Sequence, residues 1–287
     1  MPNEVNWEAV VWAEINEAVV KEVAKVRIAQ KVFPTIVLAD DPTEVINDVI
    51  AFPALTIQEG STKPFVEIHR EFELTSAQVS KEIVKKTGKT LARMAAKEIA
   101  LAEDTVILQG TNGALPPNVR AEQRGSAAAG LVGEAAAETI QVRELAPVRP
   151  GVIYGENTFA AVTDGIARLN AKGQALNYAL ILPTAVYADT FVPPSPGSLV
   201  TTAERIRPLV EGGFYGTGTL PADQGLLVAL GGEPTSLYVG REAVTEFVRK
   251  ELANYVFRVV ERVQFVARDA RAFVLLNFER QQQQQQP

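Results

Sequence analysis

The chain has no cysteine and one histidine in 287 residues. The lack of cysteine excludes disulfides, thiolate metal sites and cysteine nucleophiles. The lone imidazole, His69, has no second histidine with which to share a metal and no H-E-x-x-H context. Serine, cysteine and zinc hydrolase arrangements would all have to pass through it, and no local motif around any serine supports that. Positive charge is also scarce: 28 Lys and Arg against 34 Asp and Glu leave a net charge of −6, which argues against binding a phosphate backbone. No apolar run approaches the roughly 18 residues that cross a bilayer. The opening MPNEVNWEAV has neither a basic n-region nor an unbroken apolar core, so no secretory leader is expected and the expected setting is the cytoplasm.

Motifs that could carry chemistry are equally thin. KKTGKT contains the end of a phosphate loop, but that motif needs glycine five residues before Gly88, and Ile83 stands there. GGFYGTG at 212–218 lacks dinucleotide-loop spacing. Asp40, Asp41, Glu44 and Asp48 could hold a hard cation, or form a solvated face or turn cap. Glu103 and Asp104 are adjacent, and neighbours on a helix point different ways. No catalytic residue, metal or cofactor is therefore expected, and the chain reads as a surface more than as an enzyme.

At 47% hydrophobic and 22% charged residues, the chain has ordinary globular composition. Its length suits one elaborated domain or two small ones. Residues 7–32 read as one helix without internal Pro or Gly. Trp7, Val11, Trp12, Ile15, Val19, Val23 and Val26 cover an arc of roughly 160°, wider than the stripe of an ordinary surface helix. Either the helix sits deep in its own core or one face receives a partner. After Pro34 come short extended stretches separated by Pro and Gly, with EGSTKP the expected turn. Phe65, Glu67 and His69 alternate with Val66, Ile68 and Arg70 in strand period. A β-arm between two helices fits this pattern, with too little apolar mass for a core of its own.

Residues 76–108 carry the longest helical pattern, weakened by Gly88. The Gly/Ala-rich 110–139 reads as loop and short helix. Residues 157–173 read as a helix capped by Asn157 and stopped by Gly173. YALILPTAVYADTF reads as a buried strand and short helix, TAERIRPLVEGG as another short helix, and LPADQGLLVALGGEPTSLYVG as two strands around a Gly-Gly turn. This interleaving predicts a compact α/β lobe. The final ribbon, 257–278, is β-branched and aromatic yet studded with Arg258, Glu261, Arg262, Arg268 and Arg271. In a subunit buried by copies of itself, these charges would make pairs between subunits, together with Phe65 and His69 on the arm.

Six stretches carry a family resemblance: NWEAVVWAEINEAVV (6–20), FVEIHREFELT (65–75), AEDTVILQG (102–110), YALILPTAVYADTF (178–191), LPADQGLLVALGGEPTSLYVG (220–240) and YVFRVVERVQFVARDARAFVLLNF (255–278). They resemble the encapsulins, shell proteins of bacterial and archaeal nanocompartments. The resemblance implies an α+β, HK97-like major capsid protein fold. Residues 1–39 would be the lumenal N-terminal helix and arm, 40–74 an E-loop and 75–110 the spine helix of a P-domain. An A-domain would follow at 111–240, then closing P-domain strands at 241–278 and a disordered polyglutamine tail at 279–287. It also implies self-assembly into an icosahedral shell around cargo, such as peroxidase or ferritin-like enzymes. That cargo would dock by a C-terminal targeting peptide against Trp7, Val11, Trp12, Ile15, Val19 and Val23. No flavin-binding residues match those of relatives, and the sequence does not choose among shell sizes. Two stretches depart from the family: AQKVFPTIVLADDP replaces a basic, glycine-containing turn, and 110–150 is longer and richer in alanine. The alternative is a viral or prophage major capsid protein of the same fold, which usually carries a scaffolding region before the arm, where this chain opens on the helix.

Overall fold

The computed structural model describes residues 5–125, 130–145, 152–193 and 199–280. Of the tail expected to be disordered at 279–287, Glu279 ends the last strand and residues 281–287 lie outside the described residues, as do parts of the Gly/Ala-rich and Pro-rich loops.

The first helix, α1 (Ala9–Val26), ends sooner than its periodicity predicts, and a single turn, α2 (Ala29–Val32), follows. The break has a tertiary cause. The amides of Ile28 and Ala29 donate to the Asp104 carboxylate at 2.8–3.0 Å, so they are unavailable to continue α1. Arg27 is extended at ψ 140°, and the chain turns there. β1 (Thr35–Val37) then leads into the arm, in which β2 (Glu44–Ile46) pairs β5 (Thr62–Pro64) and, nested within them, β3 (Val49–Ala51) pairs β4 (Thr56–Gln58). The arm returns through β6 (Val66–Thr75).

Thr75 opens the spine with a reciprocal capping box to Gln78. The spine is three helices and not one: α3 (Ser76–Ser80), α4 (Glu82–Lys85) and the long α5 (Thr87–Gln109). It breaks at Lys86, which is left-handed at φ 51°, and not at Gly88. Ala92, Ala95, Ala96, Ala100 and Ala102 are buried along α5, and such small side chains let α1 and a sheet approach its backbone closely.

The rest of the chain is β7 (Val119–Gln123), α6 (Leu131–Ala135), β8 (Thr139–Arg143), α7 (Glu156–Ala171), β9 (Tyr178–Pro183), α8 (Thr184–Asp189), α9 (Thr202–Ile206), β10 (Gly213–Thr217), β11 (Gln224–Ala229), β12 (Thr235–Glu251), β13 (Asn254–Ala267) and β14 (Phe273–Glu279). Gly173 stops α7 at φ +79°, as its position predicts. Asn157 does not cap α7. Its side-chain amide donates to the carbonyls of Arg143 and Glu144.

Two five-stranded sheets organise these elements. The first has the order β1-β12-β13-β6-β7 and carries α1 and α5 on one face; the second has the order β10-β9-β11-β14-β8. The Gly231–Gly232 turn therefore makes no hairpin. It carries the chain from β11 in the second sheet to β12 in the first. β14 makes the reverse crossing and pairs β11 antiparallel and β8 parallel. The boundaries expected at 111–240 and 241–278 thus do not separate the sheets: β7 joins the first and β14 the second, each where its apolar face is buried. One core spans both, from Ile15, Val19 and Val23 on α1 through Ile99 and Leu108 on α5 to Val263, Leu226 and Phe273. A second core fills the far side of the second sheet beneath α7, α8 and α9.

Candidate assembly and cargo surfaces

α1 lies against α4 and the start of α5, leaving a groove of about 160 Å³ between them. Val10, Val11 and Ile83 give it an apolar wall, and Glu8, Glu14, Lys86 and Lys89 form a charged rim. Lys86 Nζ donates to Glu14 at 2.9 Å, and this bond holds the Glu14 carboxyl below the usual carboxylate range. Val10 is 59% exposed and Ile83 69% exposed, so both offer apolar area to an incoming chain.

Of the six residues expected to hold cargo, Val11 and Ile15 line this groove. Ile15, Val19 and Val23 are 1%, 0% and 0% exposed and pack into the subunit's own core. The broad arc on α1 exists because the helix packs on both α5 and β12, and it faces inward. Trp7 stacks on Phe257 with centroids 5.0 Å apart, leans against Trp12, and donates its indole N–H to the Val79 carbonyl. Both tryptophans therefore tie α1 to β13 and α3. Val10 is not among the residues of that arc, so its signal in the sequence is that of an apolar residue off the packed face. Ile83, Lys86 and Lys89 carried none, because their place in the groove depends on the break at Lys86.

Arg258 and Arg262 lie on the first sheet's other face, Arg268 and Arg271 follow the end of β13, and each meets an acceptor in its own chain. Glu67 on β6 accepts from Arg258 at 3.1 Å and from Arg262 at 3.0 Å. Arg258 also reaches Glu246 at 2.9 Å, Glu246 accepts from Arg241, and Arg262 reaches Asp41 at the base of the arm at 2.9 Å. Arg268 donates to the Tyr238 hydroxyl; Arg271 pairs with Asp269 and covers the Phe52 ring at 3.2 Å. Phe65 is buried beside Val45, Val266 and Gly240. His69 sits in register with Val260 and Arg120. Glu261 points the opposite way, into the core beside Glu103.

Apolar side chains are instead free on the arm and on two projections. Ile46, Leu55 and Ile57 are exposed on the arm, Val84 on α4, and Leu252 at the β12–β13 tip. The sequence pattern identified the arm as coreless but did not single out these side chains.

Other motifs resolve into structure. Lys86 and Lys89 of KKTGKT bind Glu14, and no strand enters that segment. Most of GGFYGTG is the strand β10 itself. Asp41 is engaged by Arg262 and Glu44 by Thr62. Among the described residues no acidic or histidine cluster is arranged for a metal, and no helix is long and apolar enough to cross a membrane.

The chain has clear relatives. The sequence profile of the family described as encapsulating protein for peroxidase matches residues 6–264. The type 1 encapsulin shell protein EncA of Myxococcus xanthus (strain DK1622) is 29% identical over 104 residues, 36% of this chain and 36% of that protein. The match thus spans about a third of that relative's length. Among solved structures, the virus-like particle from Pyrococcus furiosus superposes with a TM-score of 0.66 at 15% identity, covering 93% of this chain and 99% of that one. The capsid of Myoviridae phage XM1 gives 0.56 at 12% identity, covering 88% and 92%. Mycobacterium phage Bobi gives 0.58 at 12%, covering 90% of each. These likenesses establish the HK97-like capsid fold. Because the family profile spans residues 6–264 of a chain with that fold, the chain belongs to the encapsulins, the family of encapsulating proteins for peroxidase.

Proposed function

We propose that the chain is the self-assembling subunit of a closed icosahedral encapsulin shell in the cytoplasm, enclosing cargo enzymes that dock by a C-terminal peptide. The observation that carries this is the arm: Leu55 and Ile57 are 73% and 59% exposed on two-stranded pairs that have no core of their own. Isolated two-stranded pairs are marginal in water, so the arm is completed by another copy. The shell's inner surface is the α1 side, and the cargo peptide takes the groove walled by Val10, Val11 and Ile83. A peroxidase is the favoured cargo, with a ferritin-like oxidase the second choice. The role is enclosure, not turnover.

Two measurements test this. Electron microscopy of the protein expressed alone should show hollow closed particles, and a stable species of 31 kDa as the sole product would overturn the reading. Val10→Asp with Ile83→Asp should cut co-purification of a peptide-tagged cargo about tenfold or more, since a buried apolar anchor contributes a few kcal/mol at an interface. Particle yield should stay unchanged. Undiminished loading would remove the groove from the mechanism.

A further inference from the structure

Where α1 turns into α2, three carboxyl groups on two elements converge on one guanidinium. Glu103 and Asp104 come from α5 and Glu261 from β13, and they are 0%, 1% and 1% exposed. Arg27, at the end of α1, places Nη1 3.2 Å from Glu103 Oε2. Gln30 on α2 donates to Glu103 Oε1 at 2.9 Å, and Asp104 takes the amides of Ile28 and Ala29. Glu261 lies beside Glu103 in the core, and both Glu261 Oε1 and Glu103 Oε2 are buried without a hydrogen-bond partner, Glu103 Oε2 having only the Arg27 guanidinium nearby. A proton on one of two neighbouring buried carboxyls would remove one negative charge and supply the donor that these oxygens lack.

The surrounding elements bring no further positive charge to offset the acids. β6 presents Ile68 opposite Glu261 on the helix-facing side, and Arg70 on that side is engaged by Glu98 at 2.7 Å. β12 presents Ala243 and Thr245 there, and Asn16 of α1 accepts the Thr245 amide. Fully ionised, the cluster would carry three negative charges against one positive charge, out of contact with water. Such an imbalance is strongly unfavourable in a buried site.

We propose that this cluster is a protonation-dependent latch: shared protons lock the elbow between α1 and α2 onto the spine, and their loss as the pH rises releases it. The titration behaviour agrees in sign. Burial pushes Glu261 well above the ordinary range, with Glu103 adding to the rise. Burial raises Glu103 as well, opposed by Arg27 and Gln30. Burial carries Asp104 up to about 7, although the Ala29 and Ile28 amides pull it down. Acids with raised values in the closed state contribute stability fully below their ordinary range and lose it as pH climbs through the raised value. The latch is therefore tightest in acid and loosens as pH climbs from the ordinary carboxyl range through the raised values.

Pulse hydrogen–deuterium exchange on the purified full-length protein tests the proposal without reference to cargo. The Ile28 and Ala29 amides are the reporters, because they bond to Asp104 alone and to no backbone carbonyl. After correction for intrinsic exchange rates, opening should rise by up to about tenfold per pH unit for each proton released, between the ordinary carboxyl range and the raised values, and level off above them. Amides within α7 should show no such slope. Glu261→Gln, which keeps a donor where the proton stood, should flatten the slope, and Glu103→Gln serves the same purpose if that variant does not fold. A flat profile in the natural protein, an equal slope in α7, or an unchanged slope in the glutamine variant would each overturn the latch.

Discussion

Glu82 is 3% exposed, and its two oxygens accept the amides of Gly88 and Lys89 at 2.7 and 2.9 Å. A helix start leaves four amides unpaired, and a carboxylate there satisfies two of them while lying at the positive end of the helix dipole. It offsets the left-handed backbone of Lys86 just before. Gly88 belongs to the same device: a Cβ there would come to 3.1 Å from Glu82 Oε2, Leu74 and Trp7, so the start of α5 fits under Trp7 only when bare. Glu82→Ala should lower stability by about 2 kcal/mol, the cost of losing a cap and leaving buried donors unpaired. Glu82→Gln should cost roughly half of that, because one acceptor oxygen remains. Urea midpoints of the two variants and the natural protein measure the difference, and equal midpoints would mean that water replaces the carboxylate. None of this was legible in SKEIVKKTGKT, which has good helical periodicity throughout. The break depends on a side chain six residues back, folded against its own helix start.

At the scale of elements, the arginine-studded ribbon is a cross-strand ladder within one chain. β6 and β13 set Glu67 opposite Arg262, and Glu67 also takes Arg258 although 191 positions separate them in sequence. Alternation in 65–70 announced β6 and its two faces, and composition announced β13. Their register did not appear in either stretch, so pairing with a neighbouring copy and pairing at home looked alike. The magnitudes rank the two faces. The Glu67 pairs are about a quarter exposed, where ion pairs contribute at most about 1 kcal/mol each. The core face carries more: Ile15→Ala should cost 2–5 kcal/mol by leaving a cavity under α1. Glu67→Gln should therefore destabilise by about 1 kcal/mol at low salt, with most of the loss gone in about 1 M NaCl, where screening acts within roughly 3 Å. Chemical denaturation at two salt concentrations decides this. A loss that ignores salt would show that Glu67 acts through packing.

The whole molecule has one core shared between two sheets, because β12 and β14 leave one sheet for the other at the Gly231–Gly232 turn and at Asp269. Local pattern revealed β9, β11, β12 and β13 but not β7, which lies in a stretch read as loop and short helix, and a strand's sheet is fixed by distant partners that no local pattern shows. The outer part of the arm stands outside this shared core, with Ile46, Leu55 and Ile57 turned to solvent. Burial of Leu55 and Ile57 by another copy would remove on the order of 2 kcal/mol of unfavourable hydration per side chain, and a closed shell would repeat that gain at every subunit. A charge at the same places reverses the sign, since an unpaired carboxylate would have to enter the contact. Leu55→Asp with Ile57→Asp should therefore abolish large particles in light scattering while leaving circular dichroism and the denaturation midpoint of the subunit near those of the natural chain, because neither side chain touches the core. Particles at natural yield would show that the arm is not a contact. Loss of the subunit's own structure would show that the arm is part of its fold, and the reason for a shell would have to be sought at Val84 and Leu252.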